Sequence, residues 1–231
     1  MEQVRWERTG MGLQGGGRLL TRGVAIMACL HIAGLVIPVL LPAAVLTQFV
    51  TAMGLSSAGL FGSGRLWQPF TYAAIYPSPC MAGLLVLLLL VLLFCGSRLE
   101  RAWGTGRFLL FCAITSAASG MLRLLPEMDS GAVLVGSVGL LCALLAAFGH
   151  ACRGQKIWLL LAPGPIGIPY FVIGALVIML LFNLKPVANA LWLSGAAFGL
   201  LYAELAGRAW RPLARRRRPS SDRFGEIDLD E

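Results

Sequence analysis

The chain has 231 residues, of which 58% are hydrophobic and only 13% charged, and its mean hydropathy is +0.78. A soluble domain carries roughly 25% charged residues, so a water-soluble enzyme or binding module is excluded. The formal net charge of +8 raises nucleic acid as a partner, but the basic residues stand in short segments between apolar tracts. That arrangement is the signature of membrane topology, and no nucleic-acid partner is expected.

Residues 1–22 form a polar, Gly-rich segment with Arg5, Arg8, Arg18 and Arg22. The first apolar tract runs from about Val24 to Leu41 and contains Pro38. A cleaved signal peptide is the rival reading, since small residues follow at Ala43 and Ala44; the tract is longer than the usual apolar region of 7–15 residues. Residues 43–78 read as a long connection rich in Gly, Ser and Pro. The second span is about Cys80–Cys95, and the polar stretch Gly96–Arg107 leads to the third, about Phe108–Leu125. A turn at 126–130 precedes the fourth, about Ala132–Cys152. Pro163, Gly164 and Pro165 break the next apolar stretch, which places span five at about Tyr170–Leu184. Span six is about Val187–Gly207, and the tail 208–231 is polar, with a basic block at Arg215–Arg218 suited to anionic lipid headgroups. The chain thus divides into 1–22, a membrane domain 23–207 and a tail 208–231. Each span is near the roughly 20 apolar residues that cross a bilayer.

Alternate sides of these spans hold 16 and 3 of the Lys and Arg residues. The side rich in positive charge faces the cytoplasm, so six spans with both termini cytoplasmic are expected. The fold class is therefore an all-α membrane protein, a six-transmembrane-helix bundle, in a membrane read as the bacterial plasma membrane. Cys29, Cys80, Cys95, Cys112, Cys142 and Cys152 are scattered, with neither a disulfide framework nor metal spacing. No cofactor is expected.

Two stripes of small residues predict close helix contact, because small side chains let backbones meet where lipid supplies no hydrophobic drive. Span six has Gly195, Gly199, Ala203 and Gly207; span four has Ala132, Gly136, Gly139, Ala143 and Ala147.

Four segments in order resemble the rhomboid family of intramembrane serine proteases: Leu66-Trp-Gln-Pro-Phe-Thr-Tyr72, Gly96-Ser-Arg-Leu-Glu-Arg-Ala-Trp-Gly104, Val135-Gly-Ser-Val-Gly139 and Ser194-Gly-Ala-Ala-Phe-Gly199. The resemblance covers about residues 65–206 and implies the six-helix rhomboid-like fold. Rhomboids cut transmembrane substrates with a Ser–His dyad, the serine in a GxSG motif and the histidine shortly before the span-six glycines. Carried onto this chain, Gly136 and Gly139 frame the motif with Val138 at the serine position. Counting back from Gly195 and Gly199 puts Trp192 at the histidine position. The span-two Asn that helps hold the oxyanion falls on Leu88. Glu100, Trp103 and Gly104 match the family's junction and read as structural: Glu100 as a polar cap, Trp103 as an interfacial anchor.

Valine has no nucleophilic atom, the indole N–H only donates, and leucine offers an oxyanion nothing. Ser137, if helical, points about 100° away from position 138. His150 lies roughly 20 Å from Ser137 along a helix and about 12 Å from Cys142. Glu204, near the inner end of span six, is expected to snorkel or pair with Arg208. Three functions are carried forward. The first is a non-proteolytic pseudoprotease that binds transmembrane helices of client proteins, with membrane lipids as its other partner. The second is an active rhomboid-type endopeptidase with a displaced dyad. The third is a small transporter, disfavoured because polar groups within the spans are few, chiefly His31, Asn189 and Glu204.

Overall fold

A computed structural model describes residues 20–128, 131–154, 156–157, 166–181 and 193–205. Three helices are long and apolar enough to cross a bilayer: Arg22–Leu40 (α1), the continuous run Pro79–Trp103, and Thr105–Glu127. The second run comprises α4 (Ala82–Val91), a π-turn (Leu92–Gly96) and α5 (Ser97–Trp103); the third contains α6 (Thr105–Leu124). Shorter apolar helices follow: α7 (Val138–Ala151), α8 (Ile168–Leu181) and α9 (Leu193–Leu205). The molecule is an all-α membrane bundle.

The connection 43–78 is more ordered than its composition predicts. It holds α2 (Ala43–Met53), a π-turn (Ala58–Gly62), the short α3 (Gln68–Thr71) and a 3-10 turn (Tyr72–Ala74). A helix ends with unpaired carbonyls, and side chains from the Arg65–Thr71 stretch take those of α2. Arg65 Nη1 donates to Thr51 O at 2.9 Å, Trp67 Nε1 to Ala52 O at 3.1 Å, Gln68 Nε2 to Thr51 O at 3.1 Å and Thr71 Oγ1 to Met53 O at 2.6 Å. The motif Leu66–Tyr72 therefore acts as a C-terminal cap for the loop helix. Between Ile157 and Ile166 the expected apolar lead-in to span five is flanked by a two-residue antiparallel ladder, with Lys156 opposite Gly167 and Ile157 opposite Ile166.

Helix α7 sits at the centre, buried at every position from Gly139 to Gly149. A helix apolar all round belongs in such a place. It packs on α4, α5, α6 and α8, and α9 meets it backbone to backbone. A methyl group on Gly195 would stand 2.8 Å from Gly139 Cα, and one on Gly199 would stand 2.7 Å from Ala143 Cα. Only glycine fits either place on α9. The small-residue stripe on span four is shorter than its spacing suggests, because Ala132 and Gly136 precede the helix.

The arginines sort by end. Arg22, Arg98, Arg101, Arg107 and Arg153 lie where α1 and α6 start and α5, α7 and α9 finish. That end is tied by the Trp103–Tyr202 ring contact at 5.8 Å, by Tyr202 Oη on Arg107 O at 3.3 Å and by Arg98 over the Phe148 ring. Arg65 and Arg123 lie at the opposite end.

Gly199→Leu and Gly195→Leu should each destabilise the fold by at least the 1–3 kcal/mol typical of overpacking. Gly83→Leu, with open space around its Cα, should not. Thermal unfolding in detergent micelles distinguishes the three.

Candidate functional site

Helix α7 starts at Val138, six residues later than the sequence predicts for span four. The preceding residues are not helical. Leu134 forms a two-way bridge with Leu55, N to O at 2.7 and 2.9 Å, and Gly136 adopts φ +100°, a conformation open to glycine. Gly136 N donates to Tyr72 O at 3.0 Å. The chain thus enters the bundle extended, and its helix begins in the interior.

Ser137 consequently differs from expectation. It is the N-cap of α7, at φ −99° and ψ 17°, and is 0% exposed. The 100° turn between neighbouring helical positions does not apply to it, because its backbone is not helical. Its Oγ lies 2.8 Å from Tyr76 Oη, and the same Tyr76 Oη lies 2.8 Å from His31 Nδ1. His31 is the midpoint of α1 and is 1% exposed. Three elements distant in sequence therefore converge on one polar chain inside an apolar bundle. With one proton on the phenol, the chain runs either from His31 Nδ1–H through Tyr76 to Ser137, or in reverse from Ser137 to an unprotonated His31 Nδ1. In both cases His31 Nε2 is buried with no partner among the described residues.

The local sequence accounts for how Tyr76 reaches this position. Pro38 has no N–H, so the carbonyl of Gly34, four residues earlier, loses its helical donor. Tyr76 N takes that carbonyl at 3.0 Å. Gly34 has no side chain to hold off the incoming strand, and a Cβ there would fall on the Ala74 carbonyl. Pro38, read from the sequence only as lying within the first apolar tract, together with Gly34 is the signal that a second chain segment docks against it. Tyr72, one turn earlier, is anchored through its Oη to Ser116 O at 2.9 Å.

Position 138 is half-buried and packs toward Cys142, Ala146 and Ala196. Gly139, next to it, lies against α9 and against Ser119 of α6. Leu88 is fully buried in the main apolar core with Leu140, Leu141 and Leu144. Trp192 and Asn189 lie outside the described residues. His150 is at the far end of α7 from Ser137, where its Nε2 is 3.0 Å from Glu204 Oε2 and Arg153 donates to it. Glu204 thus pairs with His150; Arg208, its expected partner, lies outside the described residues.

Glu100 is a cap, and a more specific one than the sequence suggests. Its carboxylate, 3% exposed, accepts from Gly23 N at 2.8 Å, Val24 N at 2.9 Å and Thr105 Oγ1 at 2.7 Å, and from Thr21 Oγ1. It therefore meets the unpaired amides and the positive dipole end of α1. Gly104, at φ +86°, makes the turn between α5 and α6. Trp103 is half-buried in a ring cluster with Phe111 at 5.3 Å and Tyr202 at 5.8 Å, so it packs helices together rather than serving only as an interfacial anchor.

Among the described residues no group of His, Cys, Asp and Glu is arranged to hold a metal ion. The sequence profile of the Rhomboid domain matches residues 63–209. No curated protein matches the chain.

Tyr76→Phe strands buried groups on His31 and Ser137 and should cost about 1–3 kcal/mol. A double-mutant cycle with Ser137→Ala should show coupling of about 0.5–3 kcal/mol. Glu100→Ala should cost about 1–3 kcal/mol by leaving the Gly23 and Val24 amides unmet, and should also speed amide exchange at the start of α1.

Proposed function

The chain belongs to the rhomboid family, and on that premise we propose that it is a pseudoprotease, a membrane protein that binds transmembrane segments of client proteins without cutting them. The single observation that carries the reading is the chemistry of the aligned positions. Val138 stands where the family has its serine, half-buried in apolar surroundings. Leu88, aligned with the oxyanion Asn, is sealed in the core. Trp192 occupies the histidine position and brings only a donor. Around these positions the helix contacts are intact: α7 and α9 meet at the motif glycines. A bundle that keeps its packing and lacks the reacting groups retains surfaces against which a membrane helix can lie, and membrane lipids fill them when no client does.

A second reading has one specific observation in its favour. Ser137, adjacent to the vacant nucleophile position, is joined through Tyr76 to His31. Run from serine toward histidine, that chain would pass the Ser137 proton to Tyr76 while the Tyr76 proton passes to His31. Two facts rank it below the first. Ser137 is fully buried, and the imidazolium formed would have no carboxylate on its Nε2 among the described residues, a costly charge inside a membrane.

The experiment is reconstitution of the purified chain in liposomes with a panel of fluorogenic transmembrane substrates and donor-labelled versions of the same helices. The expected result is energy transfer to the labelled protein with no cleavage, unchanged in Ser137→Ala. Cleavage by the native chain that disappears in both Ser137→Ala and Tyr76→Phe would establish the second reading and remove the first.

A further inference from the structure

At the arginine-rich end of the bundle, an open cleft of about 310 Å³ lies between the start of α1 and the α5–α6 junction, lined by Leu20, Thr21, Arg22, Glu100, Arg101, Gly104 and Thr105. Two of these carry positive charge, and both Arg22 and Arg101 are exposed. Neither forms an ion pair with any described residue. The one acid in the cleft, Glu100, turns its carboxylate to Thr21, Thr105 and the Gly23 and Val24 amides, so its charge offsets the two guanidinium groups only in part. The first amides of α6 follow Gly104, and the first helical hydrogen bond, from Phe108 N to Gly104 O, leaves those of Thr105 and Gly106 unused within the helix. They add the positive end of a twenty-residue helix to the two guanidinium groups.

The helix whose first residue lines the cleft also carries exposed apolar residues. Ile26 and Leu30 follow Arg22 at i+4 and i+8 on one face of α1, and they are 53% and 50% exposed. Charge at the start of α1, followed by an exposed aliphatic stripe on the same helix, matches a molecule with a phosphate at one end and hydrocarbon at the other. We propose that this cleft is a binding site for an anionic phospholipid. Arg22 and Arg101 take its phosphodiester, the former from the start of the first span and the latter from the α5–α6 junction. One acyl chain lies along Ile26 and Leu30. The charge bias of the loops assigns this end to the cytoplasmic leaflet, where anionic lipids attract basic side chains. The site is independent of whether the protein cuts or only binds client helices.

The test is native mass spectrometry of the delipidated full chain with equal concentrations of phosphatidylglycerol or phosphatidylcholine. The expected result is retention of phosphatidylglycerol over phosphatidylcholine by on the order of tenfold. Arg22→Gln with Arg101→Gln should abolish that preference, and Arg22→Lys with Arg101→Lys should keep most of it. Arg153→Gln, at the same end but already engaged with His150 and Glu204, should leave it unchanged. Glycerophosphoglycerol, the headgroup without chains, should fail to displace the bound lipid. Each variant is compared with the native chain by gel filtration, and the lysine pair shows that the positions tolerate substitution. Equal retention of the two lipids, an equal loss in Arg153→Gln, or displacement by the free headgroup or by inorganic phosphate would each overturn the proposal.

Discussion

In hydrocarbon there is no water to satisfy a backbone amide, and a helix that starts inside a membrane bundle must find protein partners for the strand that leads into it. Helix α7 imposes this requirement. Its fourteen residues span about 21 Å, short of the roughly 30 Å hydrocarbon thickness, so the remaining depth is crossed by extended chain. Leu134 is met by Leu55, Gly136 by the Tyr72 carbonyl and Ser137 by the Tyr76 phenol. All three partners come from the long connection after α1. That connection is held in turn by the capping of α2 from Arg65 to Thr71, and by the Gly34 carbonyl that Pro38 leaves free. The interior start of one helix thus explains why a loop of ordinary polarity is folded as tightly as the spans.

The long helices were legible from composition and periodicity, since each is a run of apolar residues bounded by charge or by Gly and Pro. The contact between α7 and α9 was legible too, because glycine every fourth residue in a membrane helix has one strong physical use. Three features were not. The interior start of α7 was hidden because Ala132–Val135 is apolar and helix-compatible; only Gly136 marks the change, and a glycine in a membrane span is common. The order in residues 43–78 was hidden because side-chain capping of carbonyls leaves no periodic trace. The His31–Tyr76–Ser137 chain was hidden because its members are 45 and 61 residues apart, and nothing local announces such a meeting. The surroundings of Val138 and Leu88 required coordinates.

The polar chain also shapes how α7 begins. An apolar residue at position 138 lets α7 pack its first turn toward Cys142 and Ala196 without a buried hydroxyl to satisfy. The hydroxyl sits one residue earlier, at the helix cap, where it makes no capping bond and instead meets the Tyr76 phenol. Through Tyr76 it ties the incoming strand to α1.

The cap on α1 has a consequence for biosynthesis. The carboxylate that closes the start of this helix belongs to Glu100, 77 residues beyond Gly23. At about 5–20 residues per second of synthesis, the helix waits about 4–15 s after leaving the ribosome before its cap exists. During that interval its first amides face the aqueous edge of the membrane. Its rotational setting is fixed only when the next hairpin arrives. The Arg22–Leu40 helix is therefore made before its cap and is seated only when the helix that carries Glu100 has followed it.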